Sequence, residues 1–271
     1  MRAISTVLDV AVFVLLVAAA VGTLVVVDPP AETATSADET AEVVASSTLS
    51  VEYELRGSTR RTHGTMGSLL GRGAVADATL RGSAISEMND GYRETVRSAT
   101  RQKLVAPERT QLEARWEPYP DAPMQGSLVV GSAPPDGVDV HTATVTVPAP
   151  VPESGVVDGS RPTSYEPVAY AVAQAVADGL LPSNRVDASV YRESPTATAT
   201  SARYRAIASE TDVSVDELLT RGNVDAAHSR IVDGLARLFA GDMQREFDSP
   251  AEAAAAVQTG EVTIVVRRWD E

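Results

Sequence analysis

The chain has 271 residues, 37 of them acidic against 23 basic, for a formal charge of −14, and it contains no cysteine. The lack of thiols excludes disulfides, thiolate nucleophiles and zinc-thiolate centres, and the negative surface has the wrong sign for a nucleic-acid partner. Lys103 is the only lysine and every other basic residue is arginine. That balance suits a halophilic protein, since molar salt shortens the Debye length to about 3 Å and screens the self-repulsion, although an ordinary acidic protein shares the sign.

The N-terminal segment carries the strongest signal. Val10 to Val27 holds no charge and no proline, and 18 residues at about 1.5 Å rise cover roughly 27 Å, enough to cross a bilayer. Ala18, Ala19, Ala20 and Gly22 offer the small residues of a signal-peptidase site, but Leu24 to Val27 continue the apolar run past them, which favours a retained anchor over a cleaved signal. Arg2 precedes the run, while Asp28, Glu32, Asp38, Glu39 and Glu42 follow it before the next arginine at Arg56. The positive-inside rule then leaves the N-terminus cytoplasmic and the remaining bulk extracellular. In lipid, Ala18, Ala19, Ala20 and Gly22 would allow close helix–helix packing.

The opening Arg2-Ala3-Ile4-Ser5-Thr6-Val7 resembles archaeal type IV pilin-like proteins, in which a basic residue and a Gly or Ala precede a short Val-Ser-Pro-Val-type motif and an apolar helix. The resemblance implies prepilin-peptidase cleavage between Ala3 and Ile4 and retention of the apolar helix as a packing stalk. It covers about the first tenth of the chain, and Thr6 stands where proline is usual. With its acidic outer portion the chain also looks like uncharacterised haloarchaeal membrane proteins associated with pilus-like or Tad-like secretion machinery. That likeness implies a membrane setting and protein partners of that kind, and no cofactor.

Residues 28–46 are small, polar and acidic, with Pro29 and Pro30 at their start, and read as a flexible linker. Leu49, Val51, Tyr53 and Leu55 alternate along a half-buried strand that opens the folded part. Met66, Leu69, Leu70, Val75 and Leu80 are spaced for a helix interrupted by Gly67, Gly71 and Gly73, and a second helix is expected over Gly91 to Val105. Strands follow at Leu112 to Trp116, Gly126 to Gly131 and Val138 to Val147, which predicts an antiparallel meander. Prolines at 148, 150 and 152 then mark a possible lobe boundary near 148–162.

The last third reads as helical. Pro167 to Asp178 carries an apolar face and stops at Gly179, and Ser194-Pro195 opens the next helix. Ser214-Val215-Asp216-Glu217 and Ser249-Pro250-Ala251-Glu252 fit the capping box, and Asn223 caps a long helix striped by Ile231, Leu235, Leu238 and Phe239. Glu261 to Trp269 is a strand, expected to pair with the first one.

Chemistry is sparse. His63, His141 and His228 show no metal-ligand spacing, and His228, beside Asp225 on a helix, reads as solvated or partly buried. Asp136 and Asp139 lack the spacing of a recognised calcium loop. Arg60-Arg61 and Arg267-Arg268 are basic pairs that neutralise nearby acids or mark a docking patch. No nucleophile, base and orienter stand out as a set, so neither catalytic, cofactor nor metal residues are assigned.

The expected organisation is a leader over residues 1–9, a transmembrane helix over 10–27, a linker over 28–46, and an α+β domain over 47–271 with an antiparallel sheet and several helices. The expected function is a non-enzymatic, single-pass membrane component of a pilus-like or secretion-associated assembly. A tethered cell-surface binding module and an extracytoplasmic enzyme are the alternatives.

Overall fold

The computed structural model describes residues 36–55, 58–85, 90–156, 162–181 and 195–270. The candidate span 10–27 and the residues before it lie outside these, and among the described residues no helix is long and apolar enough to cross a membrane. Ala37 to Glu271 belong to one compact unit of α+β architecture.

That unit begins earlier than the linker reading allows. Residues 37–46, expected to be the flexible end of a linker, instead form helix α1 (Ala37–Ser46). Ala37, Thr40, Ala41 and Val44 are buried, at the i, i+3, i+4, i+7 spacing of one helix face. Small side chains at these positions let an otherwise acidic helix seat closely, and only residues 28–36 remain between it and the apolar run.

Strands β1 (Thr48–Leu55) and β2 (Ser58–Thr65) form an antiparallel hairpin. Thr65 then caps helix α2 (Met66–Ala76), its side chain accepting from the Ser68 amide at 3.1 Å. The α2 glycines, which weaken a helix in isolation, have a packing reason here. A Cβ on Gly67 would lie 2.8 Å from Val147 and one on Gly73 2.5 Å from Leu128, so glycine lets the helix lie against the sheet. Short strands β3 (Thr79–Leu80) and β4 (Ser83–Ala84) lead to helix α3 (Asp90–Lys103), close to the expected second helix.

The main sheet has six strands in the order β4-β3-β6-β5-β8-β7, every neighbouring pair antiparallel. Its longer members are β5 (Thr110–Trp116), β6 (Met124–Val130), β7 (Val140–Pro148) and β8 (Glu261–Trp269). The closing strand does not pair with the first, as the sequence suggested, and the middle strands are not a plain meander. Strand β1 is matched along its length by β2, whereas β8, with Val262, Ile264 and Val266 all buried, inserts between β5 and β7. The most apolar strand thus takes an interior position.

One face of this sheet is core and the other is polar. Leu112, Ala114, Trp116, Met124, Leu128, Val130, Val147 and Ile264 are buried on the inner face, while Glu113, Arg115, Ser127, Thr144 and Arg267 occupy the alternate positions. An antiparallel sheet with one solvated face has this alternation. The proline-rich stretch after β7 stays with the core, since Val151 is buried and Thr259 donates to the Pro152 carbonyl at 2.8 Å.

The remaining helices are α4 (Glu166–Leu180), α5 (Pro195–Glu210), α6 (Asp216–Thr220), α7 (Val224–Glu246) and α8 (Pro250–Ala255). Helix α7 packs along α4, burying Val172, Val176, Ile231, Leu235 and Phe239. Asn223 caps α7 by accepting from the Ala226 amide, and Ser249 caps α8 by accepting from the Glu252 amide. The expected box at Ser214 does not form: Val215 occupies the cap position of α6 without a side-chain bond, and Glu217 pairs with Arg221 one turn on.

Candidate functional site

Ala3, Ile4, Ala18, Ala19, Ala20 and Gly22, the residues assigned to processing and helix packing, lie outside the described residues. Of the three histidines, His63 and His141 are exposed on strands and His228 is buried. Asp136 and Asp139 are exposed, and among the described residues no group of three or more His, Asp and Glu side chains is arranged to hold a metal ion.

His228 joins three helices. Its Nδ1 on α7 lies 3.3 Å from the Tyr204 hydroxyl on α5, and its Nε2 lies 3.1 Å from Asp178 Oδ1 on α4. The second distance is that of an ion pair, although its angle falls outside hydrogen-bond geometry. Gln174 Nε2 donates to the other Asp178 oxygen at 3.0 Å. Asp225, the neighbour in sequence, is not the partner. Tyr204 is fully buried and His228 only 7% exposed, while Asp178 reaches the surface, so the cluster ties the three helices together from the core outward.

A second buried cluster pins the turn after β5 to α7. The Tyr119 hydroxyl donates to Asp242 Oδ2 at 3.0 Å, and Arg245 donates to Asp242 Oδ1 at 2.7 Å. Burial, reinforced by the Asp242 carboxylate, pushes the Tyr119 phenol far above its ordinary range. Phe239 and Phe247 pack edge-on against its ring. This tyrosine is a fixed donor.

The basic pairs resolve into structure. Arg61 pairs with Glu52 directly across the hairpin, and Arg267 donates to Glu113 at 2.7 Å and to Gln111 at 3.0 Å on the polar sheet face. Arg268 is buried and donates to Thr40 of α1 at 3.3 Å.

Two concave features stand out. A broad open groove of about 1020 Å³ runs between the start of α4 and α7, past Tyr165, Glu166, Tyr170, Arg237 and Gln244. Glu166 is held below the usual carboxylate range by a hydrogen bond from the Ser164 side chain and one from its own backbone amide.

The other is a cavity of about 280 Å³ bounded by residues of β1, β2, α2, α3, α4 and α5. Val75, Ile85, Tyr92 and Ile207 form a buried apolar floor. Tyr53, Thr62 and the exposed Arg72 stand at the rim, with Arg203 also in the wall. Tyr53 meets Tyr92 edge-on at 5.1 Å, and the Tyr92 hydroxyl donates to the Leu69 carbonyl at 3.0 Å. Burial pushes the Tyr92 phenol up to about 12, with the Arg72 charge pulling the other way. Burial also lowers the Arg203 pKa, and Arg203 Nη1 reaches the Leu180 carbonyl at 3.4 Å. No aspartate or glutamate is among the described lining residues.

The sequence reading missed this cavity, because its walls come from segments spread between Tyr53 and Ile207. The local signal that existed was Arg72, a charge set among the small and apolar residues of α2.

The chain belongs to a family of unknown function (DUF7284), whose model matches residues 8–269. No curated protein and no solved structure matches it.

Proposed function

We propose that this protein is a non-enzymatic, membrane-anchored component of a pilus-like or secretion-associated assembly, with residues 10–27 as anchor and the α+β unit displayed on the extracellular side. The observation that supports the reading is α1. The polypeptide emerging from the apolar run docks on the folded unit through Ala37, Thr40, Ala41 and Val44, so nine residues, 28–36, rather than nineteen separate the two. A subunit that associates through its N-terminal helix gains from a short connection, because long flexible tethers dilute the effective concentration of whatever they join. The acidic surface suits the outside of a cell in high salt. The finer elements, cleavage between Ala3 and Ile4 and close packing at Ala18, Ala19, Ala20 and Gly22, belong to the same proposal.

The test is the mass of the mature N-terminus recovered from the host's own membranes, together with the size of the complex in which it elutes. An N-terminus at Ile4 in a large assembly supports the reading. An intact Met1 in a small particle replaces it with a tethered binding module, and a start beyond Ala20 removes the anchor.

A further inference from the structure

We propose that the cavity between the β1–β2 hairpin and helices α2, α3 and α5 is a binding site for a small amphipathic anion, a compact apolar body ending in one carboxylate or phosphate. This does not rest on the assembly reading above. Three observations carry it.

The first is charge. Acidic residues outnumber basic ones 37 to 23 in the whole chain, yet the described cavity wall presents Arg72 at its rim and no acid. Among the described residues Arg72 is paired with no carboxylate, and its hydrogen bond goes to the neutral Thr62 hydroxyl at 3.3 Å. The Arg72 guanidinium stands exposed at the rim, beside the apolar floor. Its planar set of N–H donors also matches carboxylate and phosphate oxygens.

The second is the floor. Val75, Ile85, Tyr92 and Ile207 are each less than a tenth exposed and present hydrocarbon and ring surface to the cavity. Ligand sites pair such a lining with a few polar groups that fix orientation.

The third is size. The volume of about 280 Å³ equals about nine water-sized groups at roughly 30 Å³ each. That suits a phenyl ring or a short chain with its head group.

The test uses the full-length protein in detergent micelles, with isoleucine δ1-methyl NMR as the readout. The chain has only five isoleucines, Ile4, Ile85, Ile207, Ile231 and Ile264. Two of them line the cavity, and Ile231 and Ile264 are buried without lining it. The probes are 3-phenylpropionate, 2-phenylethyl phosphate, the neutral 3-phenylpropionamide, and acetate as head group alone.

The expected result is saturable shifts at Ile85 and Ile207, not at Ile231 or Ile264, with at least one of the two aromatic anions. The amide should bind about tenfold more weakly and acetate not at all. The tighter of the two anions identifies the head group. Arg72→Gln, at an exposed position, should weaken binding about tenfold, and Ala76→Phe should abolish it by filling the cavity, with unchanged Ile231 and Ile264 signals reporting an intact fold. No shift with either anion up to about 10 mM, a range that already represents very weak binding, overturns the proposal. So does an amide as tight as the carboxylate, or an Arg72→Gln protein that binds like the parent.

Discussion

Removing the two γ-methyls of Val44 tests whether α1 is a docked and separable element. Val44 is fully buried, and each buried carbon contributes about 0.8 kcal/mol, so Val44→Ala loses about 1.6 kcal/mol plus a small cavity penalty, about 2 kcal/mol in all. A ten-residue helix has little stability of its own in water, so undocking α1 amounts to unfolding it. If α1 opens as a local unit, its amides should exchange about thirtyfold faster, since 1.4 kcal/mol is a factor of ten. Amides of β5 and β8 at the centre of the sheet should keep their rates. Hydrogen exchange read by mass spectrometry resolves the two regions. Unchanged protection over residues 37–46 would refute the docking energetics, and equal acceleration in β8 would show that α1 is an inseparable part of the global fold.

Other outcomes follow from the buried groups. Gly126→Ala should destabilise by about 1–3 kcal/mol, because a Cβ there would meet the Ala74 carbonyl oxygen at 2.2 Å and neither backbone can yield without moving α2 off the sheet; chemical denaturation measures it. His228→Ala should cost about 1–2 kcal/mol by removing the buried ring that Tyr204 and Asp178 share, read by the same assay, with a smaller loss in Asp178→Asn. Tyr92 and Tyr119 are held neutral in the folded state while the unfolded chain ionises near pH 10. The unfolded state then binds fewer protons, and between pH 10 and 12 each should remove about 1.4 kcal/mol of stability per pH unit. Alkaline unfolding followed by tyrosinate absorbance and circular dichroism checks this, and Tyr92→Phe should flatten the slope. Ser249→Ala should lose the α8 cap, about 1 kcal/mol, visible as a lower melting temperature.

What the sequence reveals about the fold depends on how locally each element is specified. The bounds of β8, Glu261–Trp269, and the caps at Asn223 and Ser249 are readable because alternation and capping act over a few residues. Helix α1 carries its own signal at positions 37, 40, 41 and 44, but alanine and threonine hold that face, and an acidic setting hides a periodicity made of small side chains. Strand β2, Ser-Thr-Arg-Arg-Thr-His-Gly-Thr, has no large apolar residue at all; it is a strand because β1 pairs with it along its whole length. The place of β8 between β5 and β7 is a long-range fact of the same kind, as is the pairing of His228 with Asp178 and Tyr204 rather than with Asp225. The cavity is the extreme case, since its walls meet only after the hairpin and helices α2, α3, α4 and α5 have packed.

The separation of these features bears on what a bound molecule would experience. A general acid or base must stand within about 2.6–3.2 Å of the proton it moves. Among the described residues the buried His228 and Asp242 contribute to neither the small cavity nor the open groove. Within the cavity, Tyr92 is already donating to a backbone carbonyl and stays protonated to about pH 12, which makes it a poor proton acceptor near neutrality. Thr62 takes its hydrogen bond from Arg72, and the arginines are donors only. A ligand there would meet a cation, an aromatic wall and an apolar floor, groups that hold an anion in place without exchanging protons with it.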